Sequence, residues 1–102
     1  MAVGMDQLLE KLMRRLPDAA DEALLEDLLA QAGAFIRAYT RRDEIPSGLE
    51  DAQVHIAAIL FNRMGMEGEG SHSEGGVSRT AEALPEDLRR WLNLWRVVRT
   101  VN

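Results

Sequence analysis

The sequence lacks several features that would assign a protein to a broad class. It contains no cysteine in 102 residues, which excludes a disulfide framework and any metal site built on thiolates. No apolar run approaches the about 18 residues that span a bilayer, and the N-terminus lacks the apolar core of a secretion signal. Basic residues are in the minority, with 12 Lys and Arg against 17 Asp and Glu, and this argues against general nucleic-acid binding. We therefore expect a soluble, intracellular protein that forms one domain over residues 1–102.

Histidine is also scarce, occurring only at His55 and His72. Neither lies in a pattern typical of a nucleophile or of a metal site. Asp51 and His55 are four residues apart on a predicted helix, where they form either an acid–base pair or, the interpretation we favour, a surface hydrogen-bonded pair. We therefore predict that the chain is not an enzyme and that it has no catalytic residue.

Two amphipathic helices are predicted in the N-terminal part of the chain. Apolar residues recur at helical spacing from Met5 to Leu16, and Pro17 ends this helix because it clashes with the preceding turn. Asp18 is the predicted N-cap of a second helix that runs to about Tyr39. Its apolar side comprises Leu24, Leu25, Leu28, Leu29, Ala32, Phe35, Ile36 and Tyr39. A separate stripe of small residues lets another helix approach, and we favour one from the same chain: Ala23, Ala30, Ala34 and Ala38.

The stretch from Leu49 to Gly76 is predicted to organise the fold, as a long apolar helix followed by a glycine-rich loop. Ser47-Gly48-Leu49-Glu50 has the pattern of a capping box, and Gly65 is placed to end the helix in a left-handed conformation. A helix with so little polar surface is normally buried by several neighbours at once. Its apolar residues are Leu49, Ala52, Val54, Ile56, Ala57, Ala58, Ile59, Leu60, Phe61 and Met64.

The segment from Gly65 to Thr80 is predicted to be a loop, because it contains five glycines and no hydrophobic run. It has no G-x-x-x-x-G-K-[ST] phosphate loop and no G-x-G-x-x-G after a strand. Its glutamates and histidine match neither an EF-hand loop nor an H-E-x-x-H helix. We therefore predict no metal and no cofactor here. We expect a binding element that is mobile in the isolated chain and ordered against a neighbour in an assembly.

A final helix is predicted to start at Leu84-Pro85-Glu86-Asp87 and to reach Val101. One apolar stripe comprises Leu88, Trp91, Leu92, Trp95 and Val98. A second stripe comprises Leu94, Val97 and Val101. This second stripe is either core or an exposed contact surface. We favour the contact surface, since tryptophans next to arginines are typical of protein interfaces.

The charge is distributed unevenly along the chain. Five acids and no base lie between Leu16 and Asp27, whereas the final helix is basic through Arg89, Arg90, Arg96 and Arg99. One interpretation is helix-dipole complementarity, with acids early in a helix and bases late. The other is that acidic and basic ends of neighbouring copies face each other, which suits head-to-tail assembly.

Three distinctive motifs follow one another in the second half of the chain: the N-R-M-G turn at 62–65, the S-E-G-G loop at 73–76 and the L-P-x-x-L helix opening at 84–88. The acidic helix at 18–39 and the I-P-S-G-L segment at 45–49 precede them. In order and spacing, these features resemble the phage gp6-like head-tail connector (adaptor) family over nearly the whole chain. Trp95-Arg96 is a departure, since many relatives have a tyrosine-arginine pair there.

The resemblance implies a structural protein of a tailed phage or prophage that carries out no chemistry. Its members form a homo-oligomeric ring, commonly dodecameric in the virion, that docks on the portal protein and offers a platform to a head-completion or tail protein. DNA passes through the channel of the ring without specific binding. The implied location is the head-tail interface of the virion, and the host cytoplasm during assembly, without a membrane.

From the sequence and this resemblance together, we expect an all-α bundle of about four helices, with a long glycine-rich loop between the third and the fourth. The alternative function is a small helical DNA-binding regulator that uses the basic C-terminal helix for recognition. The residues expected to contact protein partners are Trp91, Leu94, Trp95, Arg96, Val97, Arg99, Val101, Glu67, Ser73, Glu74, Gly75 and Gly76.

Overall fold

Five α-helices and one 3-10 turn make up the described part of the chain. A computed structural model describes residues 4–19, 21–67 and 76–97, with segments 65–67 and 76–79 given by their backbone alone. The elements are α1 (Met5–Arg15), α2 (Glu22–Thr40), the 3-10 turn Ser47–Leu49, α3 (Glu50–Glu67), α4 (Gly76–Ala83) and α5 (Glu86–Leu94). These segments contain no strand, and none of their helices is long and apolar enough to cross a membrane. The prediction of an all-α bundle is confirmed, with α4 as one helix more than expected.

The predicted loop from Gly65 to Thr80 is wrong at both ends. α3 continues through Gly65 to Glu67, and α4 begins at Gly76. Glycine costs only about 1 kcal/mol in a helix relative to alanine, which is too little to end a helix held by its neighbours. The middle of the predicted loop, 68–75, lies outside the described residues. The expectation that this loop is mobile therefore stays a prediction.

Two predicted helix starts also differ from the structure. Asp21, not Asp18, is the N-cap of α2, and its carboxylate accepts a hydrogen bond of 3.1 Å from the Leu24 N–H. The Ala19 N–H donates to the Leu16 carbonyl, so a turn after α1 delays the second helix. The capping box is not formed, because Ser47 lies inside a 3-10 turn that follows Pro46 and has no side-chain cap.

The apolar sides of the helices meet in one core. Leu12, Leu25, Leu29, Ile36 and Leu92 are fully buried in it, as are Leu49, Ala52, Ile56 and Ala57 of the central stretch. The predicted burial of α3 is therefore confirmed. The helix with most neighbours is nevertheless α2, which packs against α1, α3, α4 and α5. At 19 residues it is the longest helix in the described part of the chain, and its apolar residues run along its full length.

α2 and α3 pack tightly together at Gly33. A Cβ atom built there would lie 2.9 Å from Nε2 of Gln53 and 3.0 Å from Cδ1 of Ile45. Gln53 is buried, and its Nε2 donates a hydrogen bond of 2.9 Å to the Leu29 carbonyl. A buried amide group needs such a partner, because leaving it unpaired costs about 1–3 kcal/mol. The glycine therefore makes room for a polar contact between the two main helices.

The exposed side of α2 corrects a further expectation. Ala23, Ala30, Ala34 and Ala38 are all exposed. The small-residue stripe is therefore not covered by a helix within the described part of this chain, because the larger apolar side of α2 already accommodates α1 and α3.

Candidate protein-interaction site

The C-terminal end of α2 and the segment that follows α5 are joined by three hydrogen bonds. The Val97 N–H donates to the Thr40 carbonyl at 2.9 Å. The Arg42 Nε donates to the Trp95 carbonyl at 2.8 Å, and the Arg96 Nε donates to the Tyr39 carbonyl at 3.0 Å. We call residues 39–42 and 95–97 the α2–α5 junction. These bonds satisfy carbonyl groups that the ends of both helices leave without an intrahelical donor.

Aromatic and cationic side chains pack across the same junction. The guanidinium of Arg42 lies 5.7 Å from the Trp95 ring centre, and that of Arg96 lies 5.2 Å from the Tyr39 ring centre. The Tyr39 hydroxyl donates to Oδ1 of Asn93 at 2.8 Å. The six-membered ring of Trp95 meets Gly48, where a Cβ atom would lie 2.6 Å from Cζ2. Both tryptophans are half-buried against the core.

The backbone at Arg41 turns the chain into this junction. Arg41 ends α2 in the left-handed region, at φ 61° and ψ 40°, and is the only described non-glycine residue with a positive φ. Its N–H and that of Arg42 both donate to the Arg37 carbonyl, which is a glycine-type helix end. This turn lets the Arg42 side chain reach Trp95.

The structure places the predicted contact residues in two different environments. Trp95 and Arg96 are engaged within the chain, Trp91 and Val97 are half-buried, and Leu94 is 83% exposed. Glu67 and Gly76 lie at the end of α3 and the start of α4. Of the predicted site, this leaves Leu94 as the freely presented apolar side chain in the described part. The remaining predicted residues lie outside it: Ser73, Glu74, Gly75, Arg99 and Val101.

The second apolar stripe of the final helix is a prediction that the structure corrects. α5 ends at Leu94, because the next N–H groups no longer form the i→i−4 hydrogen bonds of an α-helix. Those of Trp95 and Arg96 donate to the carbonyls three residues earlier, at Leu92 and Asn93, and that of Val97 donates to the Thr40 carbonyl. Leu94 and Val97 therefore do not share a helical face. Tertiary bonds at the junction override the helical periodicity of the sequence.

Of the basic residues predicted on the final helix, the three that the structure describes are each paired within the chain or partly buried. Arg96 binds Tyr39, Arg90 pairs with Glu86 at 3.5 Å, and Arg89 is half-buried. A different cluster, which the sequence analysis missed, lies at the end of α2. Arg37, Arg41 and Arg42 border an open depression there. No sequence pattern indicates this cluster, because Arg41 and Arg42 lie after the end of α2 and reach their common position only through the left-handed turn.

The Asp51–His55 pair predicted at the surface is replaced by other partners. Asp51 pairs with Lys11 of α1, at 3.3 Å between Oδ1 and Nζ. Partial burial and the nearby Arg15 guanidinium lower the pKa of His55, and Asp87 opposes this shift. Within the described segments, no group of three or more His, Asp or Glu residues is placed to hold a metal ion.

The lowered pKa of His55 predicts a pH dependence of stability. The unfolded chain binds the proton more tightly than the folded chain, so protonation favours unfolding. Stability should therefore decrease as the pH falls through the unfolded value of about 6.5 towards the lower folded value. Urea unfolding at pH 7.5 and at pH 5.5 measures the change. The His55→Gln variant should lose this part of the dependence, whereas His72→Gln should retain it. An unchanged pH dependence in His55→Gln would contradict the assignment.

The protein is small and helical, and hydrogen bonds hold its α2–α5 junction in place. Around this junction it presents one exposed apolar side chain, that of Leu94, and several arginine side chains, which are features found in protein interfaces. The chain belongs to the phage gp6-like head-tail connector proteins, whose family model matches residues 6–96. No curated protein and no solved structure matches it. Family membership makes this chain a phage structural protein that acts in connecting head and tail, in a family that is not typically enzymatic.

Proposed function

We propose that this protein is a subunit of a ring that sits on the portal of a tailed phage or prophage and joins the head to the tail. The observation that carries the proposal is the family match over residues 6–96, which runs from the second residue of α1 to beyond the end of α5. The ring is twelve-fold in the virion and continues the DNA channel without binding DNA specifically. Its partners are the portal protein on one side and a head-completion or tail protein on the other. The ring assembles in the host cytoplasm.

The end of α5 is suited to contact the portal or a neighbouring subunit. Leu94 is exposed, while the residues that follow it are fixed to α2 through Arg42, Arg96 and Val97. A side chain held on a rigid base loses less conformational entropy when it binds. Trp91, which is half-buried, lies three residues before Leu94 and therefore on the same side of the helix. Aromatic side chains of this kind are enriched in the cores of interfaces.

Replacing Leu94 with serine should weaken assembly without unfolding the domain. We expect portal binding or ring formation to weaken by about tenfold or more, as for a central interface residue. Because Leu94 is 83% exposed, its loss should change the free energy of unfolding by less than about 0.5 kcal/mol. Co-sedimentation with purified portal measures the first effect, and a thermal melt measures the second.

Met5 provides a matched control, since it is the other large hydrophobic side chain that the described part exposes, at 39%. Met5→Ser should bind portal like the wild type. Undiminished assembly of Leu94→Ser would show that Leu94 is not a contact. A collapsed melting temperature would show that Leu94 belongs to the core.

The alternative, a DNA-binding regulator, is not favoured by the structure. A recognition helix presents basic side chains to DNA, but α5 opens with Glu86 and Asp87, pairs Arg90 with Glu86 and is followed by an Arg96 held by Tyr39. Binding to duplex DNA that falls steeply with added salt would overturn the connector proposal in favour of this alternative.

A further inference from the structure

We propose that the arginine-bordered depression at the end of α2 binds the acidic start of α2 from a second copy of this chain. This inference rests on the proposed ring and names one of its subunit contacts. Each copy carries both contact surfaces on its α2, one at each end of the helix. The contact joins two arginines, Arg37 and Arg41, to two glutamates, Glu22 and Glu26, and none of the four forms an ion pair within the described part of the chain.

The depression combines a small-residue floor with a cationic rim. Ala34 and Ala38 are exposed on its floor, and Arg37, Arg41, Arg42 and Asp43 complete its lining. Three guanidinium groups and one carboxylate leave a surplus of positive charge. Arg37 and Arg41 are exposed and form no ion pair in the described segments. Guanidinium groups on such a rim are suited to bind carboxylates in a bidentate manner.

The conformation of Arg41 supports a function for its side chain. The left-handed region that Arg41 occupies costs roughly 1 kcal/mol more for an arginine than for a glycine. A glycine would end α2 equally well, because the bonds to the Arg37 carbonyl come from the backbone. A strained residue of this kind points to a role for its side chain. Here the turn places that side chain on the rim of the depression.

The acidic start of α2 is the partner whose charge matches. Four acidic residues are exposed there: Asp21, Glu22, Glu26 and Asp27. Of the small residues, Ala23 lies between these acids in sequence and Ala30 lies three residues after the last of them. Asp21 caps the helix and Asp27 binds Gln31. Glu22 and Glu26 lie one turn apart and form no ion pair in the described part. The small neighbouring residues leave both carboxylates accessible to a guanidinium from another subunit.

These two charged ends cannot neutralise each other within one chain. α2 has 19 residues, so its ends lie about 28 Å apart, several times the Debye length of about 8 Å at physiological salt. A contact between unlike ends of two copies is heterologous, and a repeated heterologous contact closes into a ring when the rotation permits. The same contact therefore uses both ends and produces the proposed assembly.

The absence of cysteine allows a direct test by disulfide trapping. Ala23→Cys marks the acidic end and Ala38→Cys marks the depression, and neither removes a charge. A mixture of the two single variants should form the mixed disulfide in preference to either homodimer. The double variant should form a ladder of three and more linked chains on oxidation, free or on portal. Gln7→Cys, exposed on α1, replaces Ala23→Cys in the control and should not link to Ala38→Cys.

Charge reversal provides a second, independent measurement. The variant Arg37→Glu with Arg41→Glu should assemble about tenfold more weakly, and so should Glu22→Arg with Glu26→Arg. Mixing the two should restore assembly, since each then offers the charge that the other lacks. Arg41→Gly should raise the melting temperature and weaken assembly, a combination that a merely structural role for Arg41 would not produce.

The outcomes separate this contact from the proposed function. If the Arg37→Glu, Arg41→Glu variant forms rings and binds portal like the wild type, the contact is overturned and the ring proposal stands. Crosslinks that stop at two chains would show a two-fold antiparallel pair and overturn the head-to-tail contact. If the wild type forms no ring and does not bind portal, the proposed function fails and this inference fails with it.

Discussion

Replacing Ile56 with aspartate is expected to unfold the protein. Ile56 has 0% exposed surface and lies on α3 between α1 and α2. A lone carboxylate there would lose its water without gaining a partner, which costs several kcal/mol. Domains of this size have a total stability of only about 5–15 kcal/mol, and the change also removes the packing of the isoleucine. Circular dichroism at 222 nm and a thermal melt measure the effect.

The matched control introduces the same residue on the same helix. Asn62 is exposed on α3, and Asn62→Asp should change the free energy of unfolding by less than about 0.5 kcal/mol. Leu60→Asp should have an intermediate effect, because Leu60 is only partly buried. Undiminished helix content and melting temperature in Ile56→Asp would remove α3 from the centre of the core.

Gly48→Ala is expected to displace the end of α5 from the core. The added Cβ would lie 2.6 Å from Cζ2 and 2.7 Å from Cη2 of Trp95, and a rigid indole ring cannot yield by rotating one terminal atom. The ring must move and give up part of its packing and its contact with Arg42, 5.7 Å from the ring centre. We expect a destabilisation of about 1–3 kcal/mol, as for other overpacked sites. Urea unfolding followed by circular dichroism measures it.

Tryptophan fluorescence in a Trp91→Phe background reports on the Trp95 environment in the same variant, and its emission should shift to the red as the ring becomes more exposed. Ser47→Ala is the control one residue earlier. It should be nearly neutral, because no side-chain cap holds the 3-10 turn. A loss of about 1 kcal/mol in the control would support the capping box after all. A neutral Gly48→Ala would mean that Trp95 is not held against the turn.

Periodicity was sufficient to predict which sides of α1, α2 and α3 are buried. Leu8, Leu12, Leu25, Ile36 and Ile56 recur at helical spacing and are all in the core. This worked because an apolar stripe on a helix is stabilised mainly by burial, so position along the chain determines which side faces inward. The family resemblance, whose distinctive motifs lie between residues 62 and 88, was confirmed as well.

Features that depend on tertiary contacts could not be predicted in this way. The end of α5 at Leu94 is set by the bond from Val97 to Thr40, between residues that are far apart in sequence. The arginine cluster exists because Arg41 adopts a left-handed conformation that arginine rarely takes. The exposure of Ala34 and Ala38 follows from which side of α2 its neighbours cover. In each case the local sequence permits more than one arrangement, and a distant contact selects one.

The hydrogen bond from Gln53 to Leu29 determines how the domain can adjust when it enters a larger assembly. A slide of α3 along α2 by one helical turn, 5.4 Å, would break the hydrogen bond of the buried amide and move Gln53 from Gly33 to the level of Leu29 or Arg37, where α2 has a side chain in place of the glycine. The two central helices therefore have one register, and shear between them, a common means of adaptation in helical proteins, is blocked. When neighbouring subunits adjust to each other, the movement must then come from the ends of the helices. The central parts of α2 and α3 enter the assembly as a rigid body.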